Sequence, residues 1–265
     1  MLAVGTSNGQ VKLLDPSDGK VRFDVVGHQV HIVCSVAISP DGKQIATSGD
    51  GHVTKVWNAT DGTERLRLRG HDGSSGCRCV VQTADKYPFL DRVAIEGCPV
   101  VAHSARVTAI AWSPCGRRIA TGGSDKSVIF WDSTSGVGLY SSAAHTERIT
   151  SLSFSSDGAL LASSSYDRSV LVSSTKTGTA ERRLQGHQMS VHACAWSRDC
   201  RTLASAGCDG AVAPSTPHVD PESQFAQSGP WHAEYAQVLV WDAQAGAVLF
   251  AFSEAHPEPP GQTCA

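Results

Sequence analysis

The chain has 265 residues, of which 41 % are hydrophobic and 18 % charged, and 25 are glycines. Its 22 basic and 25 acidic side chains give a formal charge of −3 and form no long runs, which argues against a nucleic-acid surface or an acidic-membrane anchor. No stretch approaches the roughly 18 apolar residues of a membrane-spanning helix. The N-terminus lacks the basic segment of a secretory signal, so the nine cysteines are expected to be reduced thiols of an intracellular protein, cytoplasmic or nuclear.

Similar segments follow one another along the chain. Residues 1–28 contain three predicted short strands, and residues 28–71 contain four. Residues 103–145 and 145–187 align with each other without a gap over 42 residues. Residues 187–256 open in the same way with VHACAWSRDCRTLASAGCDG and end on QVLVWDAQAGAVLFAFSEAH. The chain is therefore built from about five copies of one structural unit.

The third segment shows the unit most clearly. VTAIAWS alternates with period two, and Pro114–Gly116 predicts a turn before the second strand, RIATGG. Ser124–Lys126 predicts the next turn, SVIFWD the third strand, and VGLYSSA the fourth. Four short strands separated by turns predict an antiparallel meander, which buries both faces only when stacked on its copies.

The repeat period and these phrases resemble the WD-repeat family, whose repeats are four-stranded propeller blades. The resemblance implies an all-β fold over residues 1–256, a propeller or incomplete propeller arc of about five, or six, antiparallel blades, with a C-terminal tail at 257–265. The first strand of the first unit is absent and the tail is no substitute for it. We therefore expect a fragment of a longer WD protein or a truncated product, and leave ring closure open.

Two stretches depart from the repeat. Residues 72–102 are too short for a standard unit and contain no Trp-Asp pair, so they are either a loop between blades or a degraded sixth blade. Residues 211–236 are rich in proline and lie where the second strand of the fifth unit should turn into the third. We predict an inserted loop there.

A histidine recurs near the start of each unit. In the WD-repeat family this histidine belongs to a structural hydrogen-bond tetrad with a Ser or Thr of the second strand, an Asp of the next turn and the Trp of Trp-Asp. The third unit matches this tetrad in full, at His103, Thr121, Asp125 and Trp131. The resemblance thus implies mutual satisfaction of buried polar atoms. A Ser-His-Asp hydrolase site would need an exposed nucleophile and an oxyanion hole, which the sequence does not indicate.

Other units match the tetrad in part. The partial tetrads are His145, Ser163 and Asp167 in the fourth unit, and His187, Ser205, Asp209 and Trp241 in the fifth. Ser173 replaces the tryptophan in the fourth, and Trp241 is in place only if residues 211–236 loop out. We expect one complete tetrad in five units, and modest stability, because each lost hydrogen bond is worth roughly 0.5–1.5 kcal/mol.

The first two units depart further. In the first, Leu14-Asp15 replaces Trp-Asp and Asn8 replaces the turn aspartate. In the second, Trp57-Asn58 is present, but the aspartate falls one position early, at Asp50.

Partners of WD propellers usually dock on the face formed by the loops before the first strands and after the second strands. Two positions of each repeat belong to this rim: the residue three past the histidine and the residue before the turn aspartate. They place at the rim His31, Arg106, Ser124, Arg148, Tyr166, Ser190 and Cys208. Arg and Tyr are frequent in binding hot spots. The alternative is that these are ordinary exposed loop residues.

The sequence indicates no cofactor and no metal site. Cys77, Cys79 and Cys98, near His71 and His103, match no zinc spacing, so they are expected to be free thiols. No phosphate-binding or dinucleotide glycine pattern occurs. We expect a non-enzymatic scaffold or adaptor that binds a protein or peptide, with no nucleic-acid or membrane partner. The alternatives are the sensor portion of a larger WD-repeat signalling protein and, more remotely, a propeller hydrolase.

Overall fold

A computed structural model describes residues 1–28, 32–68, 103–143, 145–209 and 237–253. Within these ranges every regular element is a β-strand, and the strands form five antiparallel sheets. The predicted all-β fold of WD-type blades is confirmed. No helix in this part of the chain is long and apolar enough to cross a membrane.

The sheets follow the repeat units in chain order. The first has three strands, β1 (Leu2–Gly5), β2 (Gln10–Leu14) and β3 (Val21–Val26). The second has four, β4 (Val33–Ile38), β5 (Gln44–Gly49), β6 (Thr54–Asn58) and β7 (Glu64–Leu68). The third comprises β8 (Val107–Trp112), β9 (Arg118–Gly123), β10 (Val128–Asp132) and β11 (Gly138–Ser142). The fourth comprises β12 (Ile149–Phe154), β13 (Leu160–Ser165), β14 (Ser169–Ser174) and β15 (Ala180–Gln185). The fifth comprises β16 (Val191–Trp196), β17 (Thr202–Gly207), β18 (Gln237–Asp242) and β19 (Val248–Ser253).

Each sheet is a meander, and several of its tight turns require a glycine. Between the first and second strands, Gly116 and Gly158 both have φ of 71°, in the left-handed region that glycine enters without steric cost. The fifth sheet places Cys200 at the corresponding position, with φ of 58°. This turn is therefore more strained than its counterparts, because a side chain with a Cβ rarely adopts that conformation.

The hydrophobic core lies between neighbouring sheets rather than within any one of them. Leu66 and Leu68 of the second sheet share a buried cluster with Trp131 of the third. Leu184 of the fourth packs in the same way with Trp241 of the fifth. Across the contact between the second and third sheets, Trp112 Nε1 donates to the carbonyl of Ala37 at 3.2 Å. Each sheet thus buries its faces on its neighbours, as a repeat array requires.

The fifth sheet is continuous across a long gap in the sequence. β17 and β18 pair in unbroken antiparallel register from Thr202 opposite Asp242 to Gly207 opposite Gln237. The second and third sheets are likewise in direct contact, although residues 69–102 separate them in sequence. The predictions made for residues 72–102, for the loop 211–236 and for the tail 257–265 fall outside the described residues.

Candidate functional site

The third sheet brings His103, Thr121, Asp125 and Trp131 together. His103 Nδ1 lies 3.0 Å from both carboxylate oxygens of Asp125, and its Nε2 lies 2.8 Å from Thr121 Oγ1. The indole N–H of Trp131 donates to the same Thr121 oxygen at 2.8 Å. Thr121 is 0 % exposed, and its hydroxyl contacts both the imidazole and the indole directly.

One proton arrangement satisfies the whole chain of contacts. With the indole N–H donating to Thr121 Oγ1, the hydroxyl proton is free to donate to His103 Nε2, and His103 Nδ1–H then donates to Asp125. Burial acts to raise the pKa of Asp125, but the His103 contact and the hydrogen bonds from Ser127 and Ser104 outweigh it and lower that pKa. Asp125 is therefore a charged acceptor that fixes the histidine tautomer.

The fourth sheet repeats the histidine contacts without a tryptophan. His145 Nδ1 lies 2.8 Å from Asp167, and His145 Nε2 lies 2.8 Å from Ser163 Oγ. Burial, which penalises the charged imidazole, lowers the pKa of His145. Burial also acts to raise the pKa of Asp167, yet hydrogen bonds from Ser169, Thr146 and His145 hold it well below its usual range.

The fifth sheet contains a complete tetrad where the sequence predicts a partial one. His187 Nδ1 contacts Asp209, and His187 Nε2 lies 2.7 Å from Ser205 Oγ. Trp241 Nε1 donates to the same serine oxygen at 2.7 Å. The expectation of one complete tetrad is wrong, because the β17–β18 register carries Trp241 to its position despite the 27 intervening residues 210–236. The described residues contain two complete tetrads, in the third and fifth sheets.

In the second sheet a threonine that the sequence analysis did not single out occupies the centre. Thr47 Oγ1 lies 2.9 Å from His28 Nε2 and accepts from Trp57 Nε1 at 2.8 Å. Thr47 aligns with Thr121 in the repeat, and this alignment could have identified it. Asp50 donates its N–H to the carbonyl of Ile32, and its carboxylate faces Arg106 of the third sheet. Asp50 therefore belongs to the rim.

Two glycines that precede repeat histidines make room for the indoles. A Cβ on Gly186 would lie 2.8 Å from Trp241 Cη2, and one on Gly27 would lie 3.0 Å from Trp57 Cζ2. Real Cβ atoms essentially never approach within the first distance, so Gly186 is required by packing. The recurring Gly-His pair is a sign of this contact that the sequence analysis missed.

The rim positions occupy equivalent places in successive sheets. The N–H of Ser124 donates to the carbonyl of Arg106 at 2.8 Å, and that of Tyr166 to Arg148 at 3.1 Å. Cys208 donates to Ser190 in the same way at 3.2 Å. In the second sheet the corresponding acceptor is Ile32, one residue after the predicted His31, because one extra residue follows His28. His31 itself lies outside the described residues.

Charged rim residues bridge neighbouring sheets. Arg106 of the third sheet forms an ion pair with Asp50 of the second, with Nη2 3.0 Å from Asp50 Oδ2. Lys126 Nζ of the third sheet lies 3.5 Å from Glu147 Oε1, just before the fourth. Arg106 is thus already occupied by a carboxylate of its own chain.

Arg148 has a different environment. Its guanidinium carbon lies 3.7 Å from the ring centroid of Tyr166. The Tyr166 ring meets His192 of the fifth sheet edge-on, at 5.3 Å between centroids and 67° between planes. His192 Nε2 lies 3.1 Å from Ser190 Oγ. This Arg148 cluster, Arg148, Tyr166, His192 and Ser190, brings together three predicted rim residues and adds His192, which the sequence analysis missed.

The third-sheet tetrad does not have the geometry of a hydrolase site. Thr121 is buried, and its oxygen accepts the indole N–H of Trp131, so it is not presented to a substrate. Among the residues that the structure describes, no group of three or more His, Cys, Asp or Glu is placed to hold a metal ion. Cys77, Cys79 and Cys98 lie outside those residues.

Comparison with known families identifies the chain. Four segments, residues 18–58, 97–132, 137–172 and 178–213, match the family described as "WD domain, G-beta repeat" and together cover more than half of the sequence. The chain belongs to the WD-repeat family. That family is generally a non-catalytic interaction domain.

Individual relatives are similar over part of the chain. It is 29 % identical over 119 residues to protein HIR1 of Yarrowia lipolytica, covering 45 % of this chain and 10 % of that protein. It is 29 % identical over 120 residues to the anaphase-promoting complex subunit cdh1 of Dictyostelium discoideum, covering 44 % of this chain and 16 % of the relative. The nuclear distribution protein PAC1 of Coccidioides posadasii is 27 % identical over 134 residues, with 50 % and 26 % covered. The chain thus spans about a quarter or less of the length of these relatives.

Proposed function

We propose that this chain is a non-enzymatic scaffold that binds a protein or peptide partner at the rim formed by Arg106, Ser124, Arg148, Tyr166, Ser190 and Cys208. The observation that carries the proposal is the contrast between interior and rim. The tetrads of the third and fifth sheets satisfy their polar atoms internally, whereas the rim exposes Arg148 and His192 around a tyrosine. Such side chains bury large areas and form directional bonds on binding.

Relatives and composition support the same proposal. One relative is named as a subunit of the anaphase-promoting complex, so at least one similar chain works within a protein assembly. A formal charge of −3 without basic runs favours protein partners over nucleic acid. We place the protein inside the cell, in the cytoplasm or nucleus. The second candidate, the sensor portion of a longer signalling protein, is favoured by the small share of each relative that the chain covers.

The test compares captured partners. A variant with alanine at Arg106, Arg148 and Tyr166 is expected to lose at least one protein that the parent captures from the native cell, because hot-spot losses of 2 kcal/mol weaken binding about thirtyfold. The matched control carries alanine at Arg65, Lys176 and Glu181, three exposed residues of the outer strands and their turns. Both variants should unfold within about 0.5 kcal/mol of the parent, apart from the loss of the Arg106–Asp50 ion pair. Equal capture by all three proteins would contradict the proposal.

A further inference from the structure

Arg106 and Arg148 are a matched pair with different surroundings. Each stands just before the first strand of its sheet, and each carbonyl accepts from the residue that follows the second strand. Arg106 meets the carboxylate of Asp50 on the preceding sheet. The position equivalent to Asp50 on the sheet that precedes Arg148 is Ser124. Arg148 therefore lacks a carboxylate of the kind that neutralises Arg106. Among the described residues, Arg148 forms no ion pair.

The contact with Tyr166 leaves Arg148 able to bind. A guanidinium over an aromatic ring is held by a cation–π contact, which leaves its N–H groups available as hydrogen-bond donors. Arg148 is exposed, and Tyr166 is in turn held edge-on by His192 across the junction of the fourth and fifth sheets. The guanidinium is thus pre-oriented, so binding a ligand costs less side-chain entropy.

The surrounding acids are already occupied. Asp50 is paired with Arg106, Glu147 with Lys126, and Asp167 with His145 and Arg183. Of the charged groups described on this part of the rim, Arg148 and the exposed Arg168 have no ion-pair partner. The charges left unpaired on this part of the rim are therefore cationic, although the whole chain carries a net charge of −3.

We propose that the Arg148 cluster binds a carboxylate side chain, in an acidic segment of the partner protein. Arg148 donates a fork of two N–H groups to the carboxylate, Tyr166 holds the fork in place, and His192 borders the site from the fifth sheet. This inference rests on the proposed function and names the chemistry of its partner. It also assigns a role to Ser124, whose small uncharged side chain leaves Arg148 available.

The experiment measures binding of a fluorescent glutamate-rich peptide to the full 265-residue chain by anisotropy, with a glutamine-rich peptide of equal length as reference. Arg148→Ala and Ser124→Asp are each expected to weaken glutamate-peptide binding about tenfold or more, the second by supplying an internal carboxylate as Asp50 does for Arg106. Arg148→Lys should fall between, because lysine keeps the charge but not the planar fork. Arg65→Ala, which removes an exposed arginine of β7 away from the rim, is the control and should change binding less than about threefold. Binding should also weaken as salt increases.

Equal binding of the two peptides by the parent chain would overturn the inference, as would unchanged glutamate-peptide binding by Arg148→Ala. Neither would remove the proposed function, which would still stand if the triple variant lost partners from the cell. Thermal unfolding of Ser124→Asp within about 0.5 kcal/mol of the parent shows that its effect is local. A Ser124→Asn variant, similar in size without the charge, is expected to bind like the parent. Equal weakening by both substitutions would assign the effect to size and contradict the carboxylate argument.

Discussion

The third and fourth sheets share one hydrogen-bond geometry but differ at one large side chain. The histidine lies 2.8 Å from the strand hydroxyl in both, and 3.0 or 2.8 Å from the turn aspartate. Trp131 completes the third network, whereas the corresponding residue of the fourth is the buried Ser173. The His–hydroxyl–Asp arrangement therefore forms without an indole.

What the indole contributes is packing between sheets. Trp131 lies in a buried cluster with Leu66 and Leu68 of the preceding sheet. At the junction of the third and fourth sheets, polar contacts lie near Ser173 in place of an indole. Arg118 and the Tyr140 hydroxyl both donate to the carbonyl of Thr175. The comparison indicates that a blade without tryptophan is tolerated where its neighbour supplies a polar link.

The largest expected effect comes from copying the fourth sheet into the third. Trp131→Ser is expected to lower the free energy of unfolding by about 3–5 kcal/mol, because it empties a buried site that the leucines of the second sheet cannot fill. Ser173→Ala, the matched change in the fourth sheet, should cost less than about 1 kcal/mol. Urea unfolding followed by far-UV circular dichroism measures both without relying on tryptophan fluorescence. A cost below about 1 kcal/mol for Trp131→Ser would show that the two junctions are equally tolerant.

A smaller effect is expected from the turn aspartate of the third sheet. Asp125→Ala should cost about 1–3 kcal/mol, since it leaves the His103 Nδ1–H and the Ser104 N–H without their acceptor. Asp125→Asn should cost less, because an amide oxygen still accepts one of these bonds. Glu181→Ala, on an exposed strand, is the control and should stay within about 0.5 kcal/mol. Coinciding urea midpoints for Asp125→Ala and the parent would contradict a structural role for the tetrad.

Local patterns in the sequence predict what depends on one repeat at a time. The alternation in VTAIAWS and the turn at Pro114–Gly116 are sufficient for the strands, since side-chain direction has period two. The spacing of His103, Thr121 and Asp125 likewise follows from one hairpin, because His103 precedes β8, Thr121 lies on β9 and Asp125 follows β9, and the two strands pair in a fixed register.

Features that join different repeats were not predictable in the same way. The Asp50–Arg106 ion pair links residues 56 positions apart on two sheets, and nothing local distinguishes Asp50 from a displaced tetrad aspartate. Trp241 lies 36 positions from Ser205, so only strand pairing shows that it completes the tetrad. His192 was missed because its role depends on Tyr166 of the neighbouring sheet.

The smallest expected effect distinguishes the fourth sheet by its response to pH. Burial lowers the pKa of His145 below its ordinary value of 6.5, so on acidification the unfolded chain takes up a proton that the folded chain resists. Stability from this group is therefore complete above pH 6.5 and falls as pH decreases toward the lowered pKa, by no more than about 1.4 kcal/mol per pH unit for one proton. Asp125 and Asp167 act in the same direction, but only near and below 3.8, their ordinary value. Unfolding free energies between pH 7 and 5 thus separate the histidine from these two aspartates, and His145→Gln should flatten the slope even if its overall stability is lower. An identical slope in the variant and the parent would show that His145 is not the group that responds.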